Sequence, residues 1–378
     1  MTGASPLRTF LLAATLAASP LRAARPEESP GPPAEGVKAE ELAATPRPPA
    51  GREWFGLPIA YYTPETHLGY GVLGGVNFRV RPRLDVSDVQ VIVSGTTRQQ
   101  AFLRLTSLIF PAERVAVGGS LRLFDFPDYF WGVGSDTPSS AKEPFTSRYV
   151  EALLTGEWYV VPGRLRTGPR AWFRQESLHD LQPGGALATG GLPGSEGYAA
   201  PGVGWGVVWD SRDSRFFPHA GSDVEAWYLH AWRIDRAASP FGRASFDARR
   251  FQTLGHGIVL GLAGHLEVAH GEVPVTLLPR LGGDQYLRGY YYGRWRDRVM
   301  YSGQAELRVP IVWRLLATAF GGVSDVAPSF SSFGAATIRP AGGVGARLRL
   351  SEQGLNVRFD VGVGQEGANV YFALGEAF

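Results

Sequence analysis

The side chains best placed to do chemistry in this 378-residue chain lie in one stretch, Leu281 to Arg298, which reads Leu-Gly-Gly-Asp-Gln-Tyr-Leu-Arg-Gly-Tyr-Tyr-Tyr-Gly-Arg-Trp-Arg-Asp-Arg. It is too polar for a buried strand and has no helical period. It falls between two alternating segments, His256 to Val268 and Met300 to Ile311. A loop this long that keeps Arg, Tyr and Gly together commonly has a function; the plainer alternative is an aromatic-rich surface loop. Other chemistries find less support. There is no cysteine, which removes disulfides, thiolate catalysis and Cys-ligated zinc. The seven histidines (His67, His179, His219, His230, His256, His265, His270) are scattered, and His265 and His270 lack metal-ligand spacing within one strand. No Gly-x-Ser-x-Gly elbow appears, and the Gly-rich pieces precede no helix, so no phosphate-binding loop is expected. Asp210 to Asp213 with His219 are the best candidates for a hydrolytic pair, but they read first as a turn between strands. The expectation is a protein that is not an enzyme and holds no metal and no cofactor.

What must position such a loop is a run of strands. From Trp54 onward the dominant signal is period two, broken by Gly, Pro, Asp and Ser. Leu355, Val357, Phe359, Val361 and Val363 face one way, against Asn356, Arg358, Asp360, Gly362 and Gly364. Tyr301, Gly303, Ala305, Leu307 and Val309 oppose Ser302, Gln304, Glu306 and Arg308. Roughly sixteen such segments of about ten residues follow one another, the length of a strand tilted across a hydrocarbon core. The first lies near 55–63, the eleventh and twelfth near 256–268 and 299–311, and the last near 369–378. No helical stretch of useful length is expected.

The N-terminus points to export. Arg8, the apolar run Phe10 to Ala18 and the small residues through Ala24 make residues 1–24 a signal peptide. The Pro- and Glu-rich stretch 25–52 reads as a disordered linker, leaving 53–378 as one β domain. No later segment is a transmembrane helix. A soluble sandwich or propeller would also absorb many strands. Three features favour a transmembrane antiparallel barrel: charges in mid-strand on the polar face, which suit a wet lumen; aromatics near strand ends (Trp54 and Phe55, Trp158 and Tyr159, Trp227 and Tyr228), which suit interfacial girdles; and export without an anchor helix. Gly is frequent at 49 residues, Lys occurs only at 38 and 142, and the formal net charge is +2, so neither a nucleic-acid nor an acidic partner is expected. The chain ends Val370, Phe372, Leu374 and Phe378 on one expected face, with Glu376 interrupting it near the periplasmic interface. Phe372 and Phe378 read as a terminal-strand signal for outer-membrane assembly, and the last strand must pair with the first, near Gly56 to Thr63, because unpaired edges are costly in lipid.

Over 54–378 the chain resembles the BamA/TamA-type bacterial surface antigen family, the barrels of outer-membrane assembly and two-partner secretion. Its most specific match is Gly282-Gly283…Arg288-Gly289-Tyr290…Arg294…Asp297, similar to the family's Arg-Gly-Phe/Tyr loop and placed between strands eleven and twelve. Supporting matches are Asp210-Ser-Arg-Asp213…Pro218…Gly221, Trp131 to Asp136 and the Gly-Glu-Ala-Phe378 terminus. The resemblance implies an inward-folded loop, Arg288 at its tip and Glu306 as the matching acid on strand twelve, where a guanidinium would hold a carboxylate in a partly dry lumen. On strand thirteen Gly322 stands where the family often has Asp, so the lock is either half of the usual one or Asp360 contributes; Arg358 shares its inward parity. A structural reading, with Arg288 only plugging and stiffening the barrel, stays open.

The resemblance also implies a role in inserting or transporting membrane proteins or lipids, with unfolded outer-membrane proteins as clients and outer-membrane lipid as surroundings. The alternative is a passive channel or structural barrel plugged by its loop. The family's assembly members carry periplasmic POTRA domains. The roughly thirty residues between the signal peptide and Trp54 are too few to bury a core, so a separate periplasmic partner, docking on 25–52, is expected to replace them.

Overall fold

The computed structural model describes residues 52–214, 217–234, 239–350 and 356–378; the segments assigned to a signal peptide and, up to residue 51, to a linker lie outside them. The barrel strands are β1 (Glu53–Thr63), β2 (His67–Phe78), β3 (Ser87–Thr96), β4 (Ala101–Ala112), β5 (Val115–Phe130) and β6 (Glu143–Val161). They continue as β7 (Leu165–His179), β8 (Tyr198–Asp210), β9 (Gly221–Trp232), β10 (Pro240–Gly255) and β11 (Ile258–Gly271). The last five are β12 (Val299–Val312), β13 (Leu315–Ala327), β14 (Arg339–Arg349), β15 (Asn356–Gly364) and β16 (Gly367–Leu374). Each pairs antiparallel with its chain neighbours, and β16 returns to β1, closing a sixteen-stranded barrel. Apart from single helical turns and a two-residue ladder inside the loop between β11 and β12, the described residues contain no other regular structure, and no helix among them is long and apolar enough to cross a membrane.

Alternation decides the faces. Asn356, Arg358 and Asp360 point inward and are buried, while Phe359 and Val363 are exposed on the outer wall; Glu306 and Arg308 point inward opposite to Ala305. Leu355 lies outside the described residues. The start of β1 and the end of β16 lie at one rim, where the connections 113–114, 162–164, 256–257 and 313–314 are tight. The longest loops (131–142, 180–197, 272–298, 328–338) lie at the opposite rim. Short periplasmic turns and long extracellular loops are the pattern of outer-membrane barrels. β5, β6 and β7, with 16, 19 and 15 residues, exceed the ~9–11 needed to span. Their outer faces turn polar toward the long-loop rim, where Arg148 Nε meets Asp125 Oδ2 at 3.0 Å.

The expected aromatic pairs do not both face outward. Trp54, Trp158 and Tyr228 are exposed, whereas Phe55, Tyr159 and Trp227 point into the lumen, because adjacent residues on a strand take opposite faces. The outer girdle instead joins Trp54, Trp158, Trp205 and Trp313 toward the periplasmic rim with Tyr62 and Tyr70 toward the other. Trp158 and Trp205 meet edge to face with centroids 5.3 Å apart.

The lumen is packed as well as polar. Phe102, Phe124 and Tyr149 stack at 5.0 and 4.7 Å on one wall. Around the wall from β5 to β11 runs a ladder of ion pairs: Arg122 and Arg174 share Glu151, Arg166 Nε meets Glu157 at 2.8 Å, Arg170 pairs with Glu225, and Arg243 with Glu267. Such buried charges persist only because each is partnered.

The closing seam differs from every other strand pair. β1 and β2 are in register from Glu53 opposite Asn77 to Thr63 opposite His67. β1 and β16 meet only at Tyr62 opposite Phe372. Extending that register would set Ile59 against Gly375 and Gly56 against Phe378, but β16 ends at Leu374 and the chain turns inward at Gly375 (φ 86°). The last strand therefore does not run to residue 378. Phe372 stays on the outer face and the half-buried Leu374 packs against the cluster of Ile59 and Tyr61, whereas Phe378 enters the lumen and packs on Phe251 with centroids 6.4 Å apart. The lower part of β1 keeps an edge without a strand partner, and Pro58, which has no N–H to donate, suits an edge position.

Candidate functional site

The chain between β11 and β12 leaves the long-loop rim and is buried over most of 281–297. Its base is a short ladder, Arg280 opposite Arg296 and Leu281 opposite Trp295. Within it Gly283 N–H donates to Tyr290 O (2.9 Å) and Gly293 N–H to Leu281 O (2.8 Å), making a compact hairpin. Two glycines are required by shape. Gly282 has φ 104°, and a Cβ there would lie 2.2 Å from Tyr291 O. Gly289 has φ 120°, and a Cβ would lie 2.9 Å from Val363 C. The wall is equally intolerant: a Cβ on Gly362 would stand 2.8 Å from Arg288 C and Gly289 N. Loop and β15 thus touch backbone to backbone, which glycine permits on both sides.

At that contact Arg288 is fully buried. Its Nη1 donates to Glu306 Oε2 (2.6 Å) on β12 and to Asp360 Oδ2 (2.8 Å) on β15, and its guanidinium lies 3.6 Å from the centroid of the Phe320 ring on β13. Arg347 on β14 reaches both acids, through Nη1 to Asp360 Oδ1 (2.6 Å) and Nη2 to Glu306 Oε2 (3.1 Å), and its Nε donates to Glu376 Oε2 (2.9 Å). Arg308 Nε donates to Glu306 Oε1 (2.9 Å), and Arg358 Nη2 to Asp284 Oδ2 (2.5 Å) in the loop. Arg288, Arg308, Arg347 and Arg358 face Asp284, Glu306, Asp360 and Glu376, four charges of each sign. With every member buried, the cluster is stable only while the balance holds.

Sequence reasoning named Arg288, Glu306, Asp360 and Arg358, and these residues converge here, although Arg358 bonds Asp284 of the loop, not Arg288. The second acid comes from β15, not β13. A Cβ on Gly322 would fall 2.5 Å from Gly303 O and 2.9 Å from Gln304 Cγ, so that position has no room for a carboxylate. Asp284, Arg308, Arg347 and Glu376 were missed as members. Arg308 shares the inward parity of Glu306 and could have been read from it. Glu376 could not: assuming a strand to the terminus put it on the apolar face, whereas the inward turn buries it between Arg347 and Arg308.

The remaining loop-motif residues secure the extracellular side. Tyr290 OH donates to Pro340 O (2.7 Å) and accepts from Gln365 N–H (3.0 Å); Gly289 N–H donates to Tyr371 OH (3.0 Å). Arg294 Nε donates to Glu366 (2.8 Å) and Nη2 to Thr137 O (2.9 Å), with its guanidinium over Trp295. The Asp297 carboxylate accepts from Arg298 N–H (2.7 Å) and makes no hydrogen bond or ion pair to the wall among the described residues. Trp131 and Tyr129 pack on Tyr291, whose OH donates to Asp128 (2.7 Å). Glu65, in the β1–β2 turn, accepts from Tyr292 N–H (2.6 Å), and burial pushes its carboxyl up to about 7 against the opposing hydrogen bonds.

The hydrolytic candidates take another role. Asp213 Oδ1 accepts the backbone N–H groups of His219 (2.9 Å) and Ala220 (3.2 Å) and so shapes the β8–β9 turn, while His219 Nδ1 stands 3.6 Å from its other oxygen. His265 and His270, five residues apart, take opposite faces: one meets Asp247 inside and the other stacks on Tyr228 outside.

The loop and the wall that receives it lie within a matched segment, since the Omp85 superfamily domain model covers residues 199–378. Residues 199–378 form an Omp85 superfamily domain. The whole barrel, of which this domain is the C-terminal part, is similar to BamA from Haemophilus ducreyi lacking POTRA domains 1–3, with a TM-score of 0.60, 14% identity and coverage of 88% of this chain and 71% of that one. It is also similar to CdiB from Acinetobacter baumannii (TM-score 0.56, 12% identity, 86% and 59%) and CdiB from Escherichia coli (0.58, 10%, 88% and 64%). The chain thus spans less than two thirds of the two CdiB chains. At these identities the likeness is one of fold. No curated protein matches by sequence. The Omp85 domain, the sixteen closed strands and the apolar outer wall make this an outer-membrane β-barrel similar in fold to BamA and CdiB.

Proposed function

We propose that this Omp85-type barrel assists the insertion or transport of membrane proteins or lipids at the outer membrane, with the β1–β16 seam as the opening. The observation that carries this reading is the seam: strand register confined to Tyr62 and Phe372, below which the edge of β1 has no strand partner. In hydrocarbon an unpaired edge costs several kcal/mol per backbone group, so the edge has a strong drive to acquire a strand. An unfolded outer-membrane protein can supply one by strand addition. The loop network bears on the same reading: Arg288 anchors the loop to β12 and β15, and the bonds from Gly289 N–H to Tyr371 of β16 and from Tyr292 N–H to Glu65 beside β1 are the ones that parting the seam strands would have to break. The chain has no native cysteine, so Tyr62→Cys with Phe372→Cys gives a clean crosslink. Oxidation is expected to stop the barrel from accelerating client folding into lipid vesicles, and reduction to restore it. Full activity of the oxidised form would refute the seam as the route.

A second reading, a passive channel plugged by its loop, is favoured by the closed extracellular side, where Tyr290, Arg294 and Glu65 tie the loop to neighbouring loops and strands. Deleting 282–298 would then raise single-channel conductance without changing envelope assembly. A separate periplasmic partner on residues 25–52 is tested by pull-down with and without that stretch.

A further inference from the structure

On the outer wall away from the seam, the lipid-facing positions of β10 to β13 are unusually small: Ala248, Gly264, Gly303, Ala305 and Gly321 follow one another across four strands. They floor a groove of about 690 Å³ flanked by Leu262, within the ~300–1,000 Å³ of small-molecule sites. Its glycines are not filled from behind. A Cβ on Gly264 or Gly303 would meet nothing within 4 Å, and on Gly321 only Ala341 O at 3.7 Å. The depression therefore opens toward the hydrocarbon.

One end of the groove carries a charge. Arg250 faces outward and its Nη1 donates to Ser222 Oγ at 3.1 Å. Ser222, directly opposite it, is the second residue of β9, at the periplasmic rim. Arg249 beside it faces inward and is paired with Asp247 (2.8 Å), and the outward Arg148 is paired with Asp125. Arg250 meets no carboxylate among the described residues. An arginine on the lipid face is tolerated near the interface and not at the midplane. A guanidinium with a neighbouring hydroxyl is a fitting receptor for a phosphodiester, and basic sites at membrane-protein surfaces bind lipid headgroups in this way.

We propose that this groove is a binding site for an anionic glycerophospholipid of the periplasmic leaflet. The phosphodiester is held by Arg250 and Ser222, and one acyl chain lies along Gly264, Gly303 and Gly321. Charge complementarity selects the headgroup, and the missing side chains make room for the chain. The site stands apart from the seam and does not depend on the transport reading.

The test uses the full chain in nanodiscs containing phosphatidylcholine with added phosphatidylglycerol, with retained lipid read by native mass spectrometry. Wild type is expected to retain phosphatidylglycerol over phosphatidylcholine. Arg250→Gln should lose that preference about tenfold, the worth of one charge-assisted hydrogen bond. Gly303→Leu, which fills the groove and keeps the charge, should lose retained lipid altogether, and Gly264→Leu should repeat this if Gly303→Leu folds poorly by its heat-modified gel mobility. Equal retention of the two lipids by wild type, or unchanged retention in both Arg250→Gln and a groove-filled variant, would overturn the proposal. Preferential retention of lipid A when it replaces phosphatidylglycerol would overturn the leaflet assignment.

Discussion

At the scale of single residues, Arg288 is the pivot because it is the only cation through which the loop backbone near its tip reaches both Glu306 and Asp360. Truncating it leaves those buried acids with one guanidinium fewer, and breaking a buried pair by removing one partner costs about 3–5 kcal/mol. Arg288→Ala should therefore keep a closed barrel, since all sixteen strand pairings remain, but release the loop. Limited proteolysis should cut within 282–298 in the variant and not in wild type; equal protection would show that the ionic cluster does not hold the loop. Gly362→Ala should release the loop by a different route. Its methyl would fall 2.8 Å from the Arg288 backbone with every charge left in place. Protection that survives this change would mean the wall can yield by several tenths of an ångström.

At the scale of elements, the C-terminal tail links the loop to the seam. Arg347 bonds Asp360 and Glu306, the two acids that hold Arg288, and also Glu376 in the tail. Asn356 donates to Glu376 as well. Removing the carboxylate's charge with Glu376→Gln should weaken the tail's inward anchoring by about 1.5–3 kcal/mol, the range of hydrogen bonds to charged groups. The freed residues 375–378 could then pair with β1 between Gly56 and Ile59, along the register set by Tyr62 and Phe372. A Cys pair at Pro58 and Glu376 positions (Pro58→Cys with Glu376→Cys) should therefore crosslink more readily than a distant control pair, because the substitution itself removes the anchor. Failure to crosslink at any oxidant level would show that other contacts, such as Phe378 on Phe251, hold the tail inward.

For the whole molecule, the extracellular mouth is closed by contacts among loops that are remote in sequence, and one of them is sensitive to pH. Glu65 lies outside the membrane-spanning strands and is buried against Tyr292 N–H, with Asp284 nearby. Burial raises its carboxyl from 4.5 to about 7, so the closed mouth holds a proton that an opened one releases. Closure is therefore strongest below about 4.5 and weakens as pH rises toward about 7, by up to roughly tenfold per unit in that window, then levels off. Conductance in planar bilayers should rise across this range and lose its pH dependence in Glu65→Gln. An unchanged profile in that variant would assign the effect elsewhere.

The alternation of Asn356 to Gly364 and Met300 to Val309 was enough to sort the residues of those segments onto two opposite faces, because a strand's side-chain period is two whatever surrounds it. The number of strands and the position of the Arg288 stretch between the eleventh and twelfth followed from the same periodicity and its breaks. Periodicity cannot assign height. Which acid meets Arg288 depends on the stagger of β12, β14 and β15 around a closed sheet, and shear is a property of the assembled barrel. Hence Asp360 and Arg347 join the cluster at a level that no local pattern specifies, while Gly322 is barred by Gln304 from the neighbouring strand. The tail shows the same limit. Val370, Phe372 and Leu374 follow the alternation, but Glu376 and Phe378 leave it because buried guanidinium groups and Phe251 offer them partners inside the lumen that the sequence alone does not reveal.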